Sequence, residues 1–433
     1  MVFKITFLAA VSIFALVYVF KKGGKIDILQ ILILSNVLFF GLYPIIDILK
    51  QNYIATIGVF LITISYIFLT ITFLLFLFNV MMSPRQRRTL RFTAYIQKVL
   101  SVPQNMVIAL FLTAVSIILY FFLKYGLIFR VINEDLVIVN TYRQFVLSIV
   151  FPLFSLVTIS SISRILMVKN RKANFLNFLF LGLITGYWLF YGRRELIFHF
   201  LIMGLAWFVS SKGVISRKII VKGMFVLGLI IVGSNIYQNL RSDLMSYSTT
   251  REINLNKSIW DMAFDFESSD QNLTNRSSAL PLLSKVIDDI SLNEDLSKGE
   301  LFLTSLQNVV PTLFNANKTF VDEDFIVARQ LRIPYTDFNT NLYSGFYIDF
   351  GMFSVFFLPI FLFMYYVFVS IVLIYLKHSN IIFILVYSEA LSMSLNMETG
   401  ITSVFSSIRL ILLLALLYFL FNKAIKVFFK TKI

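Results

Sequence analysis

Two arginines, a glutamate and a histidine occur close together at residues 193–199, where an apolar stretch begins. Arg193 and Arg194 carry planar guanidinium groups, which grip phosphate oxygens through paired hydrogen bonds and keep their charge in a membrane. Glu195 and His199 are four residues apart, so a helix places them on one face. The group predicts a phosphate-binding site with Glu195, and then His199, as candidate catalytic residues. The alternatives are arginines that extend towards the interface and a histidine with a structural hydrogen bond.

A second group of polar and aromatic residues precedes the apolar stretch that begins near residue 346. It comprises Arg329, Arg332, Asp337, Asn339, Asn341, Tyr343, Tyr347 and Asp349. Amides and carboxylates form directed hydrogen bonds with sugar hydroxyls, guanidinium groups bind phosphate, and tyrosine rings stack on apolar sugar faces. These residues therefore predict contact with a sugar and a phosphate. The alternative is an interfacial belt of aromatic and polar turn residues.

Two opposite charges interrupt the last two apolar stretches. Glu389 and Arg409 each lie about nine residues into a stretch, which places both near the middle of a membrane. Equal depth in consecutive antiparallel helices predicts a structural ion pair between them. A proton or ion relay is the functional alternative.

The composition explains why these charges are informative. Of 433 residues, 58% are hydrophobic and only 14% are charged, with a mean hydropathy of +0.83. Soluble proteins carry about 25% charged residues, so the composition predicts an integral membrane protein. The chain has no cysteine and two histidines, which excludes disulfides, thiolate chemistry and a histidine-rich metal centre.

The apolar stretches must form the elements that position these groups. A helix needs about 20 mostly apolar residues to cross a bilayer. Eleven segments approach this length, and none shows the alternation of a β-barrel strand, so the predicted fold is an all-α polytopic bundle. The segments are residues 3–20, 26–49, 53–82, 106–123, 144–168, 175–191, 196–210, 219–237, 346–376, 380–397 and 401–422.

The distribution of charge predicts the orientation. Alternate loops together carry 20 basic residues and one acid, Asp27. Because cytoplasmic loops are enriched in lysine and arginine, this side is predicted to be the cytoplasm. The N-terminus then lies outside and the C-terminus inside. The net charge of +15 therefore reflects orientation in a membrane and not a nucleic-acid partner.

The same assignment leaves one long loop outside, residues 238–345, with 15 acids and 9 bases. Apolar spacing and acids in first turns predict three helices within it, at 277–290, 300–310 and 322–331. A loop of this length with amphipathic helices predicts a cap over the bundle. The predicted domains are thus the membrane bundle 1–237, the cap 238–345 and the final helices 346–433. The acids at 322–324 are attributed to the dipole of their own helix and not to a metal site.

The sequence resembles the Wzy-type oligosaccharide repeat-unit polymerases of bacterial O-antigen and capsule assembly. The resemblance rests on the many spans with a large loop between late helices and on two short motifs. The first motif is the Gly192-Arg193-Arg194-Glu195 turn. The second is Tyr347-Ile-Asp349-Phe-Gly351, which opens the span after the loop.

The resemblance implies a metal-independent inverting glycosyltransferase of the GT-C class that uses no cofactor and acts on the outer face of the inner membrane. Its substrates are undecaprenyl-diphosphate-linked oligosaccharides, and its partners are membrane lipids, a chain-length regulator and a flippase of the same pathway. Arg193 and Arg194, with Arg241 and Arg329 from the loop, would bind the diphosphate. Asp349 joins Glu195 and His199 as a candidate general base.

Three other functions remain open. An O-antigen ligase is disfavoured because that family usually depends on a histidine in the large external loop, and residues 238–345 contain none. A flippase or other transporter is disfavoured by the odd number of spans and the absence of repeat symmetry. A non-catalytic scaffold would leave the arginines at 193 and 194 unexplained.

Overall fold

The computed structural model describes residues 1–21, 26–49, 55–125, 137–167, 171–191, 193–211, 279–293, 296–310, 323–332, 340–395 and 400–430. All regular elements in these ranges are helices, and their one strand-like feature is an isolated β-bridge between Asp27 and Arg91. The predicted all-α class is therefore confirmed.

The described helices also identify a membrane protein. Four stretches are long and apolar enough to cross a bilayer, and a fifth is added if residues 92–120 form one bent span. Ten of the eleven predicted segments coincide with helices, whereas segment 219–237 lies outside the described residues. The four stretches are Val2–Val19, Ile57–Met81, Leu342–His378 and Ile401–Leu420.

The helices of the N-terminal half are α1 (Val2–Lys21), α2 (Ile28–Asn36), α3 (Tyr43–Leu49), α4 (Ile57–Met81), α5 (Pro84–Thr89), α6 (Phe92–Leu100), α7 (Gln104–Tyr125), α8 (Val137–Met167), α9 (Arg171–Tyr191) and α10 (Arg193–Ser210). A π-helical turn, Val37–Leu42, joins α2 to α3.

The helices of the C-terminal half are α11 (Leu280–Asn293), α12 (Glu300–Val309), α13 (Glu323–Gln330), α14 (Leu342–Phe350), α15 (Ser354–Tyr375), α16 (Asn380–Leu395) and α17 (Ile401–Lys430). Short 3₁₀ turns, Gly351–Phe353 and Leu376–His378, begin and end α15. The three helices predicted within the long loop are thus present as α11, α12 and α13.

The chain divides into two compact units. The first takes its residues from 1–22, 26–91 and 274–433, and the second includes residues 92–273. The described helices of the long loop therefore group with the first and last helices of the chain. The predicted domains 1–237, 238–345 and 346–433 stay a prediction.

The centre of the first unit is α2, because all nine of its residues are buried. It packs against α16, and the π-helical turn that follows packs against α1. Polar side chains of α2 are used inside this core. Ser35 donates its hydroxyl hydrogen to the Leu395 carbonyl, and Asn36 Nδ2 donates to the Leu32 carbonyl at 2.9 Å. Such bonds offset the cost of burying polar groups among apolar ones.

Capping residues define where helices of the first unit begin. The Asp27 side chain accepts from the Gln30 N–H at 3.1 Å, and the Gln30 side chain accepts from the Asp27 N–H at 2.9 Å. Ser83 and Gln86 form the same reciprocal pair before α5. Each capping box pairs two N–H groups, at the cap and in the first turn, that the helix start would otherwise leave without a partner.

The second unit is organised around α8, which packs against α6, α7, α9 and α10. The axes of α6 and α7 meet at 101°. At this bend the Arg164 side chain of α8 donates from Nη2 to the Val102 carbonyl at 2.5 Å. The guanidinium therefore pairs a backbone group at the break between the two helices.

Candidate functional site

The predicted phosphate-binding residues open α10. Residue 192 alone separates the end of α9 at Tyr191 from the start of α10 at Arg193. The backbone places Arg193, Arg194 and Glu195 in the first turn of α10. The N–H groups of a first turn lack intrahelical partners, and the helix dipole favours an anion there. This placement is compatible with phosphate binding, which stays a prediction.

His199 lies one turn further along α10, with a side chain that is 2% exposed. Its Nδ1 lies 3.5 Å from the Thr158 hydroxyl of α8, and its Nε2 lies 3.1 Å from the Thr185 hydroxyl of α9. A neutral imidazole offers one donor and one acceptor, and here each ring nitrogen faces a hydroxyl. His199 therefore links three helices, as the structural alternative expects. Its catalytic role stays a prediction.

Thr158 belongs to a row of buried hydroxyl groups that was not predicted from the sequence. Ser155, Thr158 and Ser161 follow one another at three-residue spacing, which keeps them on one side of α8, and each is at most 4% exposed. The Ser161 hydroxyl has no hydrogen-bond partner among the described residues. The spacing was visible in the sequence, but serine and threonine in apolar helices ordinarily bond to their own backbone and are easily overlooked.

Asp349, a predicted general base, caps the first turn of α12. Its Oδ1 accepts from the Ser297 hydroxyl and from the Leu301 N–H at 3.0 Å, and its Oδ2 accepts from the Phe302 N–H at 2.7 Å. Gly299, which precedes α12 with φ of +89°, has no side chain that could serve as a cap. Asp349 is 1% exposed, so this geometry assigns it to structure.

The predicted sugar-binding residues at the start of α14 are also buried. Asn341 is the cap of α14, because its Oδ1 accepts from the Ser344 N–H at 2.9 Å and its own N–H donates to the Ser344 hydroxyl. The Tyr343 hydroxyl donates to Asn36 Oδ1 at 2.8 Å. Tyr347 packs edge-on against Tyr66, with ring centroids 5.3 Å apart.

These contacts hold α14 against α2 and α4. Tyr343 and Tyr347 are 3% and 4% exposed, which leaves little of either ring for stacking on a sugar in this conformation. The partners Asn36 and Tyr66 were not identified from the sequence, because residues some 300 positions apart carry no local signal of contact.

The loop arginines differ in their surroundings. Arg329 donates to the Glu300 carboxylate at 2.5 Å, with side chains 51% and 45% exposed. This hydrogen bond raises the pKa of Arg329 above its ordinary value, so the guanidinium stays charged. Arg332, two residues after the end of α13, lies in the left-handed region with φ of +52° and is exposed. Arg241 lies outside the described residues.

Glu323 begins α13, as predicted, but its carboxylate also serves another helix. Its Oε1 accepts from the Ser305 hydroxyl at 2.7 Å and from the N–H of Thr402, the second residue of α17. A Cβ at Gly400 would overlap the Glu323 carboxylate, so this close approach requires glycine. Glu323 therefore caps the start of α17 as well as beginning α13. The sequence predicted only an interaction with the dipole of its own helix.

The predicted ion pair between Glu389 and Arg409 is not formed. Arg409 Nη1 instead donates to the Val309 carbonyl at the end of α12, at 3.0 Å. The Glu389 side chain hydrogen-bonds with Ser407. Residues 407 and 409 are about 200° apart around a helix, so they face opposite directions. Equal depth was predicted from the sequence, but depth does not determine which way a side chain points.

No protein-family model, no curated protein and no solved structure matches the chain. Within the ranges that the structure describes, no group of three or more His, Cys, Asp or Glu side chains is arranged to hold a metal ion. The fold and the apolar helices define the class of this protein as an all-α integral membrane protein.

Proposed function

We propose that the protein is a membrane glycosyltransferase that polymerises oligosaccharide repeat units carried on undecaprenyl diphosphate. In this proposal the reaction occurs on the outer face of the bacterial inner membrane and inverts the configuration of the donor sugar. The chain belongs to the Wzy-type polymerases, which it resembles in its two short motifs.

One observation carries the proposal, namely the position of Arg193 and Arg194 in the first turn of α10. Two guanidinium groups and the N–H groups of a helix start can bind the same anion, since each favours negative charge. A diphosphate leaving group develops charge in the transition state and needs such preorganised donors. Two consecutive arginines at a helix start therefore suit a lipid diphosphate.

The proposed reaction is a direct displacement at the donor sugar. A hydroxyl oxygen of the acceptor unit attacks the anomeric carbon and forms the new glycosidic bond. The bond between that carbon and the diphosphate oxygen breaks, and its electron pair leaves with undecaprenyl diphosphate. The hydroxyl proton passes to a general base, for which we propose Glu195. Glu195 is preferred because the contacts of Asp349 and His199 already hold those side chains in structural roles.

The proposal includes a topology of eleven spans, with the N-terminus outside and the C-terminus in the cytoplasm. Ten of these spans are the described helices at the predicted segments, and residues 219–237 supply the remaining one. The helices α11–α13 of the long loop then belong to the GT-C-like cap. Undecaprenyl-linked oligosaccharides and membrane lipids are the proposed ligands, with a chain-length regulator and a flippase as partners.

Reconstitution with a defined donor tests the activity. The purified protein in lipid vesicles is incubated with a synthetic undecaprenyl-diphosphate repeat unit, without nucleotide sugar, and the products are separated on a gel. A ladder of polymers supports the proposal. Unchanged substrate would contradict it, and unchanged substrate that has crossed the bilayer would identify a transporter instead.

Single substitutions test the diphosphate site. Arg193→Ala and Arg194→Ala should each lower turnover by about 10²–10³-fold, which is the usual effect of removing one transition-state donor. Arg88→Ala, at an exposed position on α5, is the matched control and should keep full turnover. Normal turnover in both test variants would show that these arginines do not bind the leaving group.

A further inference from the structure

Beyond Glu300, three of the four residues on the exposed face of α12 are apolar, in contrast to the exposed face of the neighbouring loop helix α11. Leu303 and Leu306 are 57% and 42% exposed, and Val310, directly after α12, is 37% exposed. On α11 the exposed positions include the charged residues Lys285 and Asp288. A helix face in water carries polar residues, whereas a large exposed apolar face indicates contact with a partner or a membrane. The two helices therefore face different surroundings.

The position of α12 beside α17 indicates what that surrounding is. At the start of both helices, Leu301 and Ile401 approach Gly345, where a Cβ would lie 3.0 Å and 3.4 Å from their side chains. Eight residues further along each helix, Arg409 of α17 reaches the Val309 carbonyl. The two helices thus run side by side in the same direction. Because Ile401–Leu420 is a candidate span, α12 lies at the depth of its first half.

Both ends of α12 meet the requirement that lipid imposes on a short helix. In hydrocarbon, unpaired backbone groups are costly, and helix ends are tolerated only where the protein satisfies them. The first turn donates to the Asp349 carboxylate from Leu301 and Phe302. In the last turn, the Val309 carbonyl accepts a hydrogen bond from the Arg409 guanidinium. A helix end in water needs neither charge, because water pairs the free groups.

The position of the charge in α12 agrees with a helix that enters the membrane from its first residue. Its one ionisable residue, Glu300, is at the first position and pairs with Arg329 on the exposed surface. The residues beyond it on the exposed face are Leu303, Leu306, Gln307 and Val310. The charged end thus suits the headgroup region, and the apolar Leu303, Leu306 and Val310 suit hydrocarbon. Ten residues of helix span about 15 Å, or half of a ~30 Å hydrocarbon core.

We propose that α12 is a re-entrant helix. It enters the half of the bilayer in which α17 begins and presents Leu303, Leu306 and Val310 to lipid acyl chains. Asp349 and Arg409 are positioning residues that hold its two ends against the spans. Only α11 of this neighbouring pair then contributes a water-facing surface to the long loop. This inference is independent of the proposed activity, since it concerns the lipid contact of one helix.

The absence of cysteine in the natural chain makes a direct test possible. Single cysteines are introduced at Leu303 and Leu306, and the full-length protein is spin-labelled in phospholipid vesicles. Leu413→Cys, at a 52% exposed position of α17, is the reference for lipid. Lys285→Cys, on the exposed face of α11, is the reference for water. Collision rates of each label with oxygen and with a water-soluble nickel chelate are measured.

The expected result is that labels at Leu303 and Leu306 resemble the label at Leu413. Their collision rate with the nickel chelate should be at least about tenfold below that at Lys285, because hydrocarbon excludes charged and polar solutes. Oxygen collisions should rise from position 303 to position 306 as depth increases. Chelate collisions equal to those at Lys285 at either position would overturn the proposal. Both substitutions are at exposed sites, so folding of the variants is expected and is checked by circular dichroism.

Discussion

The cap that Asp349 provides for α12 leads to a quantitative prediction. Asp349→Ala removes the acceptor for the N–H groups of Leu301 and Phe302 and for the Ser297 hydroxyl. A buried donor left without its charged acceptor costs about 1–3 kcal/mol. Partial fraying of the first turn recovers some of this cost, so we expect a loss of about 2–4 kcal/mol in the local stability of α12. Asp349→Asn keeps one acceptor oxygen and should cost about half as much.

Hydrogen exchange followed by mass spectrometry measures this local stability directly. Since about 1.4 kcal/mol corresponds to a factor of ten, the exchange of peptides that cover α12 should accelerate about 30-fold or more in Asp349→Ala. Asp288→Asn, a change at an exposed carboxylate of α11, is the control and should leave this exchange unaltered. If Asp349→Asn abolished turnover while exchange in α12 remained that of the natural protein, the carboxylate would act in catalysis and the capping argument would fail.

Three further predictions follow from the contacts of single side chains. Glu389→Gln and Arg409→Gln should show a coupling energy near zero in a double-mutant cycle of thermal unfolding, because the two groups do not pair; a coupling above about 1 kcal/mol would restore the ion pair. Tyr343→Phe leaves the Asn36 amide oxygen without its donor and should lower stability by about 1 kcal/mol in a denaturant titration, whereas an unchanged midpoint would argue against this bond. His199→Leu should change turnover per folded molecule by less than about tenfold, while a loss above about 100-fold at unchanged stability would show that the imidazole takes part in the reaction.

Apolar stretches and helix starts were the most predictable features. A stretch of some 20 apolar residues in a membrane must pair its backbone groups within itself, which leaves helix as its main solution. In the long loop, the helix predicted at 300–310 is α12 at 300–309, and the one at 322–331 is α13 at 323–330. Periodicity and acids in the first turn act within a few residues of chain, so one sequence suffices to read them.

The candidate site was less predictable because residue type does not distinguish a side chain that binds substrate from one that holds the fold together. Asn341, Tyr343 and Asp349 have the chemistry that a sugar or a base requires, yet in the structure they cap helices and pack the core. The same hydrogen-bonding capacity serves both purposes. Which purpose it serves depends on what lies opposite, and for Tyr343 that is a residue 307 positions earlier in the chain.

The sequence by itself determined that the chain is helical, that it belongs in a membrane, and where ten of its apolar helical segments lie, because hydrophobicity and periodicity are local properties. The tertiary structure alone decided the partners of three of its charged side chains. Residue type and depth predict a general base at Asp349, an interaction with its own helix dipole at Glu323, and an ion pair at Arg409. In the folded chain each of them binds the end of another helix. The physical reason is that a helix end offers unpaired backbone groups, and only the packing of distant segments determines which charge reaches them.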